Sequence, residues 1–144
     1  MRVLPDTNIV YASMFEAHPF HHRCRERVGR VQRGQDEGFF SAHSLAEMFS
    51  TSTAKKNPER VEPEETVQYL EKEILPYFTI VEFTRDDYIA VLNQLRKAGL
   101  SGALIFDALI VHAGKKAQVD YVLTLNIKHF HLVVPEFAAQ IIEP

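Results

Sequence analysis

Apolar residues recur along this chain in two alternating rhythms. Short apolar runs are followed by longer stretches in which apolar positions return every three or four residues. Arg2-Val3-Leu4-Pro5 reads as a short strand that ends in a polar turn, Asp6-Thr7-Asn8, and feeds a helix starting near Ile9. His21 to Gln32 reads as a helix, supported by its straight-chain arginines. Gly34 and Gly38 bracket a turn, and Gly38-Phe39-Phe40-Ser41-Ala42 is a second short strand. His43 to Thr53 is a helix with Leu45, Ala46, Met48 and Phe49 apolar, and Lys55-Lys56-Asn57-Pro58 is a loop. Glu64 to Leu75 repeats the helical spacing through Val67, Leu70, Ile74 and Leu75, and Pro76 stops it. Phe78 to Phe83 is β-branched and aromatic, the composition of a strand. Thr84 then caps a helix with Asp86 and Asp87 in its first turn, which runs to Ala98 and stops at Gly99. A further helix follows Ser101 and ends in Lys115-Lys116. Asp120 to Leu125 and Leu132-Val133-Val134 complete the set as strands. Strands that alternate with helices predict an α/β protein. The expected architecture is a three-layer α/β/α sandwich with a mainly parallel central sheet, formed by residues 1–144 as a single domain.

Composition narrows the function classes. One cysteine, Cys24, excludes an internal disulfide and a Cys-rich zinc module. No apolar run approaches the roughly 18 residues of a membrane span. The first residues meet a proline and an acid too early for a signal peptide, so a soluble, cytoplasmic protein is expected. A net charge of −3 argues against coating nucleic acid by bulk attraction. The charge is nonetheless uneven. Arg23, Arg25, Arg27, Arg30 and Arg33 face only Glu26 in their segment, while the charged residues of 59–73 are mostly acidic. Arg23, Arg27 and Arg30 share one helical face, either a polyanion contact or a solvated surface. Neither a glycine-rich phosphate loop nor an H-E-x-x-H zinc motif occurs.

Open α/β sheets bind ligands beyond the carboxyl ends of their strands, so polar residues at those ends carry the chemistry. Asp6 follows the first strand and Asn126 the Tyr121–Leu125 strand, and Glu47 and Asp107 can approach from helices. Asp107 is the most informative, because it interrupts the apolar run Ala103 to Val111. An ionised carboxylate there is costly unless paired, neutralised or metal-bound. Each residue also has an ordinary reading. Asp6 can cap the next helix, and Ser44-Leu45-Ala46-Glu47 fits a capping box. Asp107 can pair with a buried arginine, Asn126 can be a turn residue, and His112 can be a hydrogen-bonded core residue.

The four segments taken in order resemble the PIN-domain ribonucleases, and within them toxins of the VapC kind. Leu4-Pro5-Asp6-Thr7-Asn8-Ile9 is similar to the first acidic motif, Ser44-Leu45-Ala46-Glu47-Met48-Phe49 to the second, Ser101 to Ile110 around Asp107 to the third, and Thr124-Leu125-Asn126-Ile127-Lys128-His129-Phe130 to the fourth. The resemblance spans nearly the whole chain. Many relatives carry aspartate where this chain has Asn126, which leaves three carboxylates and bears on a second metal more than on the first. The resemblance implies hydrolysis of RNA phosphodiester bonds with Asp6, Glu47 and Asp107 as ligands and Asn126 as a weaker one. Three carboxylates about 4 Å apart repel by roughly 4 kcal/mol per pair at an effective dielectric of about 20. A hard cation, Mg²⁺ or Mn²⁺ as substitute, relieves that repulsion. Thr7 and Thr124 are expected to orient the carboxylates, and Lys128 and His129 to meet the RNA, with Lys55 and Lys56 at a groove rim. A cognate antitoxin and a homodimer are implied as partners, with Tyr69, Leu70, Tyr77 or Phe78 as candidate dimer contacts. The competing reading is a PIN-like module that binds RNA or dimerises without cutting, suggested by Asn126. A receiver-type phosphoacceptor domain fits worse. The Phe78–Phe83 strand runs into Thr84-Arg85 rather than an acceptor aspartate, and the late strand ends in Asn126 rather than lysine.

Overall fold

The structure, a computed structural model, describes residues 1–144. β1 (Arg2–Pro5) leads into α1 (Thr7–Met14) and α2 (His21–Gln32), then β2 (Glu37–Ser41) and α3 (Ala42–Thr53). α4 (Pro63–Tyr69) precedes β3 (Phe78–Val81), α5 (Arg85–Ala98) and α6 (Leu104–Lys116). β4 (Tyr121–Leu123), α7 (Ile127–Val133) and β5 (Ile141–Ile142) close the chain. The five strands form one sheet in the order β3-β2-β1-β4-β5, and every pairing is parallel. Val3 pairs with Tyr121 of β4 on one side and with Gly38 of β2 on the other.

Alternation along the strands feeds two cores. Leu4, Phe39, Val81 and Val122 point to a core shared with Val91 and Leu95 of α5, Leu109 of α6 and Phe130 of α7. Their neighbours Val3, Phe40, Phe78 and Leu123 point to the opposite face, against Ile9 and Val10 of α1, Val28 of α2 and Met48 of α3. Strands covered on both faces read as continuous apolar runs, which is why Phe78 to Val81 and Tyr121 to Leu123 stand out in the sequence. The three-layer parallel architecture is the expected one.

Several elements differ from the sequence reading. Leu132 and Val133 end α7 instead of forming a strand, because three apolar residues alone cannot separate a helix end from a strand. The fifth strand is Ile141–Ile142, two residues after a 3₁₀ turn, too short for any period to show. The second strand begins one residue earlier than expected, at Glu37, and so takes Gly38 into its interior. A Cβ there would overlap Val31 Cγ1 and come within 2.6 Å of Phe78 Cδ1, so glycine marks the close packing of α2 on the sheet. The helix after Pro63 switches to a π turn over Leu70–Ile74, which keeps Leu70 and Ile74 both buried. Leu70 and Phe78 are therefore core residues and cannot serve a dimer face, and the Tyr69 hydroxyl is bonded to Ser13 at 2.7 Å. Of the four candidates only Tyr77 is exposed.

Candidate active site

From β1 the chain builds outward to β2 and β3, then returns to place β4 and β5 on the other side of β1. Such a reversal opens a crevice at the carboxyl ends of the strands. Asp6 enters it directly from β1, anchored by its backbone N–H, which donates to the Leu123 carbonyl at 2.8 Å. It occupies the N-cap position of α1, yet its side chain makes no capping bond. Asp6 Oδ2 instead accepts the Thr124 hydroxyl at 2.8 Å, and Thr124 Oγ1 accepts the Asn126 backbone N–H at 3.0 Å. Thr124 is fully buried and fixes both neighbours.

Glu47 comes from the middle of α3, whose N-cap is Ser41 and not Ser44, so the capping-box reading fails. The Thr7 hydroxyl faces Glu47 Oε1 at 3.3 Å and Ser44 Oγ at 2.9 Å. Asp107 stands in the first turn of α6, where the helix dipole favours a carboxylate. No arginine meets it. The basic side chain within 4 Å of it is His129, Nδ1 to Oδ2, at 3.8 Å. Asp6, Glu47, Asp107 and Asn126 line one cleft of about 210 Å³, together with Thr7, Asn8, Tyr11 and Thr51. Asn8, Tyr11 and Thr51 were not singled out from the sequence. Helical spacing from Thr7 to Tyr11 and from Glu47 to Thr51 is the signal that finds two of them.

Electrostatics follow from this crowding. Burial, with Asp107 and Glu47 nearby, raises the Asp6 carboxyl from 3.8 to about 7, although the Thr124 hydroxyl opposes the shift. Burial also raises Glu47 and Asp107 above the ordinary carboxylate range, against the lowering effects of His43 on the first and His129 on the second. The three acids share a pocket, but no three acid or histidine side chains close around a common point as direct ligands of one ion.

Lys128 and His129 line an adjoining cleft of about 500 Å³ that also includes Asn126. The arginine stripe lies elsewhere. Arg23, Arg27 and Arg30 border a separate groove of about 530 Å³ that shares no residue with the acidic cleft. Arg30 is committed to the buried Asp36, at 2.6 and 3.2 Å, and Arg23 donates to the Pro144 carbonyl at 2.8 Å. Lys55 and Lys56 are exposed in the turn after α3 and border neither cleft. His112 is hydrogen-bonded as expected, its Nε2 lying 2.8 Å from Asp87 Oδ1, but it sits partly exposed between α5 and α6.

Residues 3–133 match the family model of the PIN domain. The chain belongs to the PIN domain family. No curated protein matches it significantly. Among solved structures it is similar to VapC20 of Mycobacterium tuberculosis, a sarcin-ricin loop cleaving toxin, with a TM-score of 0.64 and 12% identity over 83% of this chain and 86% of that one. It is also similar to a chain of FitAB bound to an IR36 DNA fragment, with a TM-score of 0.64 and 19% identity over 97% of this chain and 92% of that one. These likenesses establish a common fold for this PIN protein.

Proposed function

We propose that this PIN protein is a divalent-metal-dependent endoribonuclease and the toxin of a toxin–antitoxin pair. The observation that carries the reading is the gathering of Asp6, Glu47 and Asp107 into one cleft at the sheet's switch point, with no arginine or lysine to neutralise them. The donor set suits a hard cation. It offers only oxygen ligands, and a buried carboxyl raised to about 7 gains from any positive charge placed beside it. Asp6, Glu47 and Asp107 are the proposed ligands, with Asn126 as a weaker fourth. Mg²⁺, or Mn²⁺ in its place, supplies charge neutralisation at the scissile phosphate and an acidified water. Thr124 and Thr7 hold the Asp6 and Glu47 carboxylates in place, and Lys128 and His129 face the RNA from the adjoining cleft. The similarity to a sarcin-ricin loop cleaving toxin supports RNA as the substrate class, and the resemblance of the four motifs to toxins of the VapC kind implies an antitoxin partner. An antitoxin blocks such a site most directly by placing a basic side chain among the acids. A homodimer in the cytoplasm completes the proposal. No helix is long and apolar enough to cross a membrane.

The competing reading, a module that binds RNA or dimerises without cutting, draws on Asn126 and on the incomplete convergence of the acids. One experiment separates the two. RNA incubated with Mg²⁺ or Mn²⁺ is cut by the native protein, and Asp107→Asn lowers the rate at least 100-fold with the circular dichroism spectrum unchanged. RNA bound tightly by both proteins and cut by neither selects the module.

A further inference from the structure

A fourth groove, of about 390 Å³, borders the acidic cleft and shares Glu47 and Thr51 with it. Its wall is aromatic. The His43 imidazole of α3 and the Phe106 ring of α6 lie offset-parallel, with centroids 5.1 Å apart and planes 9° from parallel. Phe106 is 40% exposed, although it sits in a largely apolar stretch of α6. Its neighbours Ile105 and Leu104 turn toward the core and Asp107 toward the acids. Phe106 lines the groove, so its exposed ring surface is available there to a flat partner. Ser50 and Thr51 add hydroxyls to the same groove, which Ala46 also lines.

We infer that Phe106, backed by His43, is a stacking platform for one nucleobase of a single-stranded RNA, next to the nucleotide whose phosphate enters the acidic cleft. This rests on the nuclease reading above. Continuity fixes the occupant: a chain whose phosphate reaches Glu47 passes its neighbouring base over the groove that Glu47 also lines. Every base has a π face, so the platform secures a nucleotide without choosing its sequence. The Ser50 and Thr51 hydroxyls are the groups positioned to add a preference. His43 stacks on Phe106 and so acts by positioning that ring.

The test combines protein variants with abasic substitutions in the RNA. A set of short single-stranded RNAs, each with one abasic nucleotide walked along the strand, is cleaved with Mn²⁺. With the native protein, kcat/KM drops about tenfold when the abasic nucleotide falls at one position flanking the cut. Phe106→Leu drops about tenfold on intact RNA and is indifferent to that abasic position, because the interaction is already lost. Phe106→Tyr restores both the rate and the sensitivity. Phe106→Leu with an abasic profile identical to the native one overturns the inference and leaves the nuclease reading standing. A native protein that cuts no RNA overturns the nuclease reading instead. In that case 2-aminopurine placed in the same RNA reports stacking directly: quenching by the native protein but not by Phe106→Leu keeps the platform, and equal signals from both dismiss it.

Discussion

Two aspartates show how much environment decides at the scale of one residue. Asp6 and Asp36 are almost equally buried, 5% and 6% exposed. Asp36 receives Arg30 and the N-terminal ammonium, which hold its carboxyl below the usual carboxylate range. Asp6 loses its solvent to burial, receives only one neutral hydroxyl and has two acids nearby, and its carboxyl is raised to about 7. The direction sets a pH dependence. A carboxyl raised in the folded state binds its proton more tightly there than in the unfolded chain. Its contribution to stability is complete below about pH 4 and is lost as pH rises toward 7. Without metal, the native protein is expected to lose up to about 4 kcal/mol through Asp6 over that window. Asp6→Asn removes this slope while its amide oxygen still accepts from Thr124. Urea unfolding in EDTA, compared at pH 5 and pH 7.5, reads the difference, and the variant becomes the more stable protein at the higher pH while losing cleavage. Parallel pH curves for the two proteins contradict the assignment. Asp6 and Asp107 were legible in the sequence because an acid after a strand and an acid inside an apolar helix both break a pattern. Asp36 was not, because its partners, Arg30 and the N-terminus, are revealed only by the fold. The His43–Phe106 pair was hidden for the same reason, lying on two helices far apart in the chain.

Secondary-structure elements were legible where their period was long enough to count. The capping box at Thr84 and the left-handed Gly99 that ends α5 stand in the structure where the sequence places them. Short elements escaped. β5 has two residues, and α7 looked like a strand because its apolar end was all that showed. Gly38 stands in the second strand as expected, and what the sequence does not show is that its missing side chain makes room for Val31 and Phe78. Its role in packing yields a prediction. Gly38→Ala forces Val31 of α2 and Phe78 of β3 apart and is expected to destabilise the protein by about 1–3 kcal/mol, read as a lower urea midpoint with an unchanged m-value. Gly114 does similar work on the other face, where a Cβ would come within 2.8 Å of Val122 Cγ2. That close approach seats α6 against β4 and so sets how near Asp107 comes to the end of β1.

At the scale of the molecule, the candidate ligands sit on separate elements: the start of α1, the middle of α3, the first turn of α6 and the end of the β4 segment. A cation bound among them ties the two halves of the chain together. Mn²⁺ is therefore expected to raise the melting temperature of the native protein, by the equivalent of about 2.7 kcal/mol at 100 times its dissociation constant. EDTA reverses the rise. The shift grows as pH passes 7, because the proton on Asp6 competes with the ion. Asp6→Asn shows little or none of it, and a shift equal to the native one in that variant removes Asp6 from the ligand set.

The bond from Thr124 to Asp6 joins residues 118 positions apart. On a ribosome adding about 5–20 residues per second, the aspartate leaves roughly 6 to 24 s before its partner does. The acidic pocket therefore cannot be assembled on a nascent chain that has not yet reached Thr124.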